Sequence, residues 1–206
     1  MARIKVPRKS TATDMTAMCD VAFLLLTFFI LTAKFKTEDP LHIETPAATA
    51  MVPVPDDNIA TLNVGKGRVF FGVEGPEIRK TMLQEMGKKY GVTFTPEEIN
   101  VFSLTPTFGT PMKDLKSYLG MDQNQKKEYD SQTQGIPHDT TTNSELYNWI
   151  YQARVADKAI YQKDLRFAIK ADGKEEYPTI KDIITMFQKQ KVDKFALITS
   201  LKGGAK

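Results

Sequence analysis

One acidic side chain, Asp20, stands in an otherwise uncharged run, MTAMCDVAFLLLTFFILTA, from Met15 to Ala33. Low dielectric favours the neutral form of a carboxyl group, so access to water from either end would let Asp20 take up and release a proton. At about 100° per residue, Thr13, Thr16 and Thr27 fall within about 40° of Asp20 around a helix, while Met18, Ala22, Leu25 and Phe29 lie opposite. A narrow polar stripe on an apolar cylinder must meet protein or water, because one helix alone cannot shield it. A structural hydrogen bond between helices is the alternative use of the same acid. Other chemistry is scarce. No GxxxxGK[ST], HExxH or CxxC motif occurs. His42 and His138 are too few for a histidine-rich metal site or a convincing triad, and Cys19, the single cysteine, excludes an intrachain disulfide. Trp149, Tyr177 and the phenylalanines read as core or interface. Neither enzyme activity nor a cofactor is expected, with protons the only coupling ion.

The element that must position Asp20 is a helix of bilayer length. Residues 15–33 rise roughly 28 Å, against a hydrocarbon core of about 30 Å, and neither Gly nor Pro interrupts them. Arg3, Lys5, Arg8 and Lys9 precede the run and outweigh by themselves the net charge of +3, so the basic excess is no argument for nucleic acid. Their position predicts a cytoplasmic amino terminus and a body on the far side of the membrane. A cleaved signal peptide fits less well, since Leu31 and Lys34 flank the end of the run where small residues would be needed. Starting the helix after Asp20, with Asp20 as its cap, would leave about 20 Å, short for a span. An acid inside the span costs roughly 2.5–3.5 kcal/mol at mid-helix and less toward an interface. One helix makes neither channel nor pump, so a separate multi-span membrane partner is implied.

The expected organisation is a basic leader over residues 1–14, the transmembrane helix over 15–33, an extended linker over 34–57, a small α+β body over 58–200 and a tail over 201–206. Pro40, Pro46, Pro53 and Pro55 make the linker a tether, with a short β-like stretch over Leu41 to Thr45. Ile59–Val64 and Arg68–Val73, joined by Gly65-Lys66-Gly67, predict a hairpin. A helix over Glu74–Tyr90 follows. Gly91–Thr142 reads as an insertion on a smaller domain, with one short helix over Met112–Tyr118 and exposed stretches at Lys126-Lys127-Glu128 and Gln132–Thr142. It carries either a partner-binding surface or mere decoration. Helical character resumes over Asn143–Lys158. A strand over Leu165–Lys170, an Asp172-Gly173 turn, a helix with Pro178 in its first turn and the stripe Ile180, Ile183, Ile184 and Phe187, and a strand over Val192–Thr199 close the body.

Three stretches together resemble the ExbD/TolR family, and most nearly a Bacteroidetes-type ExbD: the leader ARIKVPRKS, the span DMTAMCDVAFLLLTFFILTA and the ending LRFAIKADGKEEYPTIKDIITMFQKQKVDKFALIT. The resemblance implies that Asp20 is the family's intramembrane carboxylate, that Thr16 and Thr27 share its pore- or partner-facing surface, and that Asp172 and Tyr177 are the D-x-x-x-x-Y element between strand and helix. The proline that the family commonly carries three residues before the acid is Ala17 here. The function implied is proton-motive-force coupling in an inner-membrane motor, this chain and a second copy sitting inside a pentamer of an ExbB-like multi-span subunit. The domain beyond the inner membrane, in the periplasm, would pass work to a TonB-like protein serving outer-membrane transporters. A TolR-like role in envelope integrity, and a membrane-anchored scaffold without proton coupling, are the competing readings.

Overall fold

The computed structural model describes residues 15–33, 47–48, 58–172, 177–192, 195–198 and 200–201. The chain divides into two units, Met1–Glu38 and Asp39–Lys206.

The first unit holds helix α1, Met15–Thr32. Its ladder runs on to the Ala33 N–H, which donates to Phe29 O at 2.9 Å. Two threonine hydroxyls fold back onto the helix: Thr27 Oγ1 donates to Leu24 O at 2.9 Å and Thr32 Oγ1 to Phe28 O at 2.7 Å. Hydroxyls satisfied in this way can sit in an apolar helix without a partner. No residue of α1 is buried. It is long and apolar enough to cross a membrane.

The second unit is built on a five-stranded mixed sheet. Its strands are β2 (Ile59–Gly65), β3 (Arg68–Val73), β4 (Thr107–Phe108), β5 (Arg166–Ala171) and β6 (Phe195–Ile198), in the order β4-β3-β2-β5-β6. β2 and β3 form the expected hairpin, closed by Lys66 and Gly67 with φ of 56° and 68°. Two successive positive φ values give a turn whose twist matches the strands, and they explain the glycine. β2 pairs with β5, and β5 with β6, both in parallel. A separate two-residue pairing joins β1 (Ala47–Ala48) to β7 (Ser200–Leu201), also in parallel. The helices are α2 (Pro76–Tyr90), α3 (Pro96–Leu104), α4 (Met112–Leu119), α5 (Gln123–Gln132), α6 (Glu145–Tyr161) and α7 (Tyr177–Lys189). One core joins sheet and helices: Leu62, Val64 and Phe71 with Ile78, Met82 and Met86 of α2, Trp149 and Ile150 of α6, and Ile183 and Phe187 of α7.

The segment 91–142 is more ordered than composition implies. It holds three helices and a strand, not one short helix. Thr95 opens α3 with a reciprocal cap, its Oγ1 accepting from the Glu98 N–H while Glu98 Oε2 accepts from the Thr95 N–H. Asp122 and Gln125 open α5 in the same way. Gln132–Thr142 is not uniformly exposed, because Thr133 and Ile136 are buried. The Ile136 N–H donates to Val69 O at 2.9 Å, so this loop and β4 together cover the outer edge of β3. The last strand is shorter than expected and splits: α7 unwinds through Lys191, at φ 56°, before β6, and β7 pairs elsewhere. The expected stretch Leu41–Thr45 and Gly173 of the expected turn lie outside the described residues.

Candidate functional site

Asp20 is the sixth residue of α1, about 7.5 Å along the axis from Met15. Thr16 lies one turn before it and Thr27 about 10.5 Å further on, close to the same bearing. Met18, Leu25 and Phe29, on the other side, are exposed apolar groups suited to lipid or to a neighbouring helix. Among the described residues nothing meets the Asp20 carboxylate, which is exposed. The helix thus offers an unpartnered acid on a polar stripe, with Thr27 half-buried beside its own backbone acceptor.

Asp172 and Tyr177 lie in the second unit. Asp172 follows β5, and its N–H donates to Val64 O at 2.9 Å, continuing the pairing of β2 and β5 by one step. Tyr177 is the first residue of α7. Residues 173–176 between them lie outside the described residues.

Sequence reasoning missed three acids that the body withdraws from water. Asp130, at the end of α5, accepts from the Tyr118 hydroxyl at 3.1 Å, and its other oxygen has no donor. Burial pushes its pKa up to about 6, against the opposing pull of the Tyr118 hydroxyl and of Lys126, whose Nζ lies 5.4 Å from the Tyr118 ring centre. The Tyr118 hydroxyl is pushed up as well, by its own burial and then by the neighbouring carboxylate. Glu145 caps α4, both carboxylate oxygens lying 3.1 Å from the Met112 N–H, and burial raises its pKa. Asp157 on α6 is wholly buried and its pKa is also raised by burial. No local pattern marks these acids, since their burial comes from residues far away in the chain.

An open cleft of about 870 Å³ lies where the hairpin tip, with Lys66 and Arg68, meets Lys113, His138 and Glu145. Its strongest cation is engaged: Arg68 Nη1 donates to Ser131 O at 2.8 Å and to Asp130 O at 3.3 Å, tying down the end of α5. His138 Nδ1 lies 3.2 Å from Ile136 O, and His42 falls outside the described residues. Cys19 is exposed on α1. Among the described residues no group of three or more His, Cys, Asp or Glu side chains is placed to hold a metal ion.

The family model described as "Biopolymer transport protein ExbD/TolR" matches residues 7–202, covering α1 and the whole described body. No curated protein and no solved structure matches the chain.

Proposed function

The chain belongs to the ExbD/TolR family, and from that premise we propose that it couples the proton motive force to transport across the cell envelope, with Asp20 as the proton-carrying residue. The observation that carries the reading is a single carboxylic acid, with no basic residue beside it, inside a bilayer-length apolar helix that the family match includes. An acid at that depth is costly unless it faces protein or water, and such residues in membranes mark ion pathways. A charge crossing 100 mV is worth about 2.3 kcal/mol, enough to bias one step of a conformational cycle.

In this proposal α1 spans the inner membrane once, with the amino terminus cytoplasmic and the body in the periplasm. Two copies of α1 sit within a ring of ExbB-like multi-span subunits, which shield the stripe of Thr16, Asp20 and Thr27. Protonation and release at the two Asp20 residues drive rotation of the pair, and the body hands the work to a TonB-like partner. The Bacteroidetes-type affinity belongs to the same reading. The leader supports the orientation by its charge, and the family description supports the transport role.

Asp20→Asn tests it, because the amide keeps size and hydrogen bonding and removes titration. The variant is expected to co-purify with its membrane partner in wild-type yield while energy-dependent uptake through outer-membrane transporters falls to the level of cells lacking the protein. Unchanged uptake would reduce the chain to an anchored scaffold. Intact uptake in cells lacking the protein, combined with detergent sensitivity that only the wild-type chain relieves, would instead assign it to envelope integrity.

A further inference from the structure

Asn58 directly precedes β2, and an acid distant in the chain holds it there. Its backbone lies in the left-handed region at φ 62°, and its carbonyl accepts from the Arg166 N–H at 3.2 Å. Its side-chain Nδ2 donates to Asp157 Oδ2 at 3.0 Å and, at 3.4 Å, to Asp164 O. Asp157 is 0% exposed. Two acceptors on this pair are buried without a donor, Asn58 Oδ1 and Asp157 Oδ1. Such an arrangement is expensive for a carboxylate and an amide, and one proton added to Asp157 turns an acceptor without a donor into a donor itself.

We propose that Asp157 is a second proton-binding site: with a proton on Oδ1, the acid and the Asn58 amide close a two-bond ring, Asn58 Nδ2–H to Asp157 Oδ2 and Asp157 Oδ1–H to Asn58 Oδ1, latching the start of β2 onto α6. Loss of the proton breaks the second bond and leaves a buried charge, which opens the latch. The surrounding charges do not replace the proton. Lys163 and Asp164, in the turn after α6, oppose one another, and among the described residues no ion pair reaches Asp157. On α2, which packs along α6, Arg79 is committed to Ser103 O and Val73 O, and Lys89 to Asn148 Oδ1. Arg154, on α6 itself, donates to Gln190 O. Burial, the largest influence, and Asp164 push the Asp157 pKa up against the pull of the Asn58 amide and Lys163. A cavity of about 320 Å³, lined by Asn58, Glu74, Tyr161 and Lys163 among others, opens beside Asn58, and Asp157 is not part of its wall. If the body faces the acidified side of an energised membrane, which rests on the reading above, the lower pH there favours the closed latch; the proton site itself does not depend on that reading.

The test uses the full-length protein in detergent micelles, comparing wild type with Asp157→Asn, Asp157→Ala and Asp20→Asn. An amide at position 157 supplies an N–H where the acid's O–H stood, so the ring stays closed at every pH. The melting temperature of Asp157→Asn is expected to equal wild type at the acid end of a pH series and to exceed it by about 2–4 °C at the alkaline end. Asp157→Ala melts lower at acid pH, where it lacks the ring. A difference between Asp157→Asn and wild type that is negative at high pH, or independent of pH, overturns the proposal. Infrared difference spectra across the same range give a second readout: Asp130 and Glu145 contribute to the protonated-carboxyl band in every variant, so a loss of intensity in Asp157→Asn that Asp20→Asn does not show supports the site, and a band unchanged in Asp157→Asn refutes it. Neither readout involves transport, so this site and the role of Asp20 stand or fall separately.

Discussion

The acids that bear on function and stability in this chain differ in how visible they are. Asp20 is conspicuous because every neighbour within the helix is uncharged, a contrast that sequence alone displays. Asp130 is not, for it follows Lys126-Lys127-Glu128 in a stretch whose composition reads as solvated surface; only the fold brings Tyr118 over it and Arg68 beneath the end of its helix. The environment of Asp130 has a measurable consequence. Its carboxyl holds a proton up to about pH 6, whereas in the unfolded chain it releases the proton in the ordinary carboxyl range. The native state therefore binds more protons across that interval, so this group's contribution to stability falls as pH rises toward about 6 and levels off above it. Tyr118→Phe removes the hydroxyl that meets the ionised form. The expected loss is about 1–3 kcal/mol where Asp130 is charged and smaller where it is protonated. Urea unfolding of the variant and wild type near pH 8 and near pH 5 checks this, the larger gap being expected at the higher pH.

Elements were legible where a short-range signal matched a tertiary role. The hairpin needed only two apolar runs and a Gly-Lys-Gly turn, and α7 only a clean stripe behind Pro178. The helices α3 and α5 escaped because their composition hides periodicity, α5 being almost wholly polar. Their starts were nevertheless written in the chain as Thr95-Pro96-Glu97-Glu98 and Asp122-Gln123-Asn124-Gln125, both capping boxes. β4 had no such signal, since two residues acquire strand geometry only from β3 beside them. The loop that completes the cover of β3 turns on Gly135, at φ +80°, where an added Cβ would sit 2.7 Å from Val69 N and 2.9 Å from Val69 O. Gly135→Ala thus meets both strain and collision and is expected to cost about 2 kcal/mol or more. Gly67→Ala, at φ +68° with open space around it, meets strain alone and is expected to cost about 1 kcal/mol. Thermal unfolding of the two variants ranks them. Hydrogen exchange at the Ile136 amide, expected to speed up markedly in Gly135→Ala and little in Gly67→Ala, shows whether the loop has lifted from the strand.

At the scale of the whole molecule, the α+β class, the apolar amino-terminal helix and the family were readable, whereas the standing of segment 91–142 was not. Composition made it an appendage; packing makes it part of the core. Phe102 of α3 stacks on Trp149 with ring centres 5.9 Å apart, Phe108 of β4 meets Trp149 edge-on at 4.9 Å, and Phe108 also meets Phe71 of β3 at 6.3 Å. Leu115, Tyr118, Leu119 and Ile136 add buried surface from the same segment. A dispensable insertion would leave behind a domain whose core closes on itself, and this one would leave Trp149 without two of its aromatic neighbours and the outer edge of β3 unpaired. Truncating a single buried Phe typically costs about 3–5 kcal/mol, against a total stability of about 5–15 kcal/mol for a domain, so losing the whole cluster exceeds what the fold can absorb. Replacing residues 91–142 by a short Gly-Ser linker is therefore expected to abolish cooperative thermal unfolding and to leave the body open to limited proteolysis, while α1 still directs the chain to the membrane fraction. The milder Phe102→Ala is expected to keep a cooperative transition at a lower temperature. A linker variant that melts as sharply as wild type would return the segment to the status of decoration, and the sheet would then have to stand on α2, α6 and α7 alone.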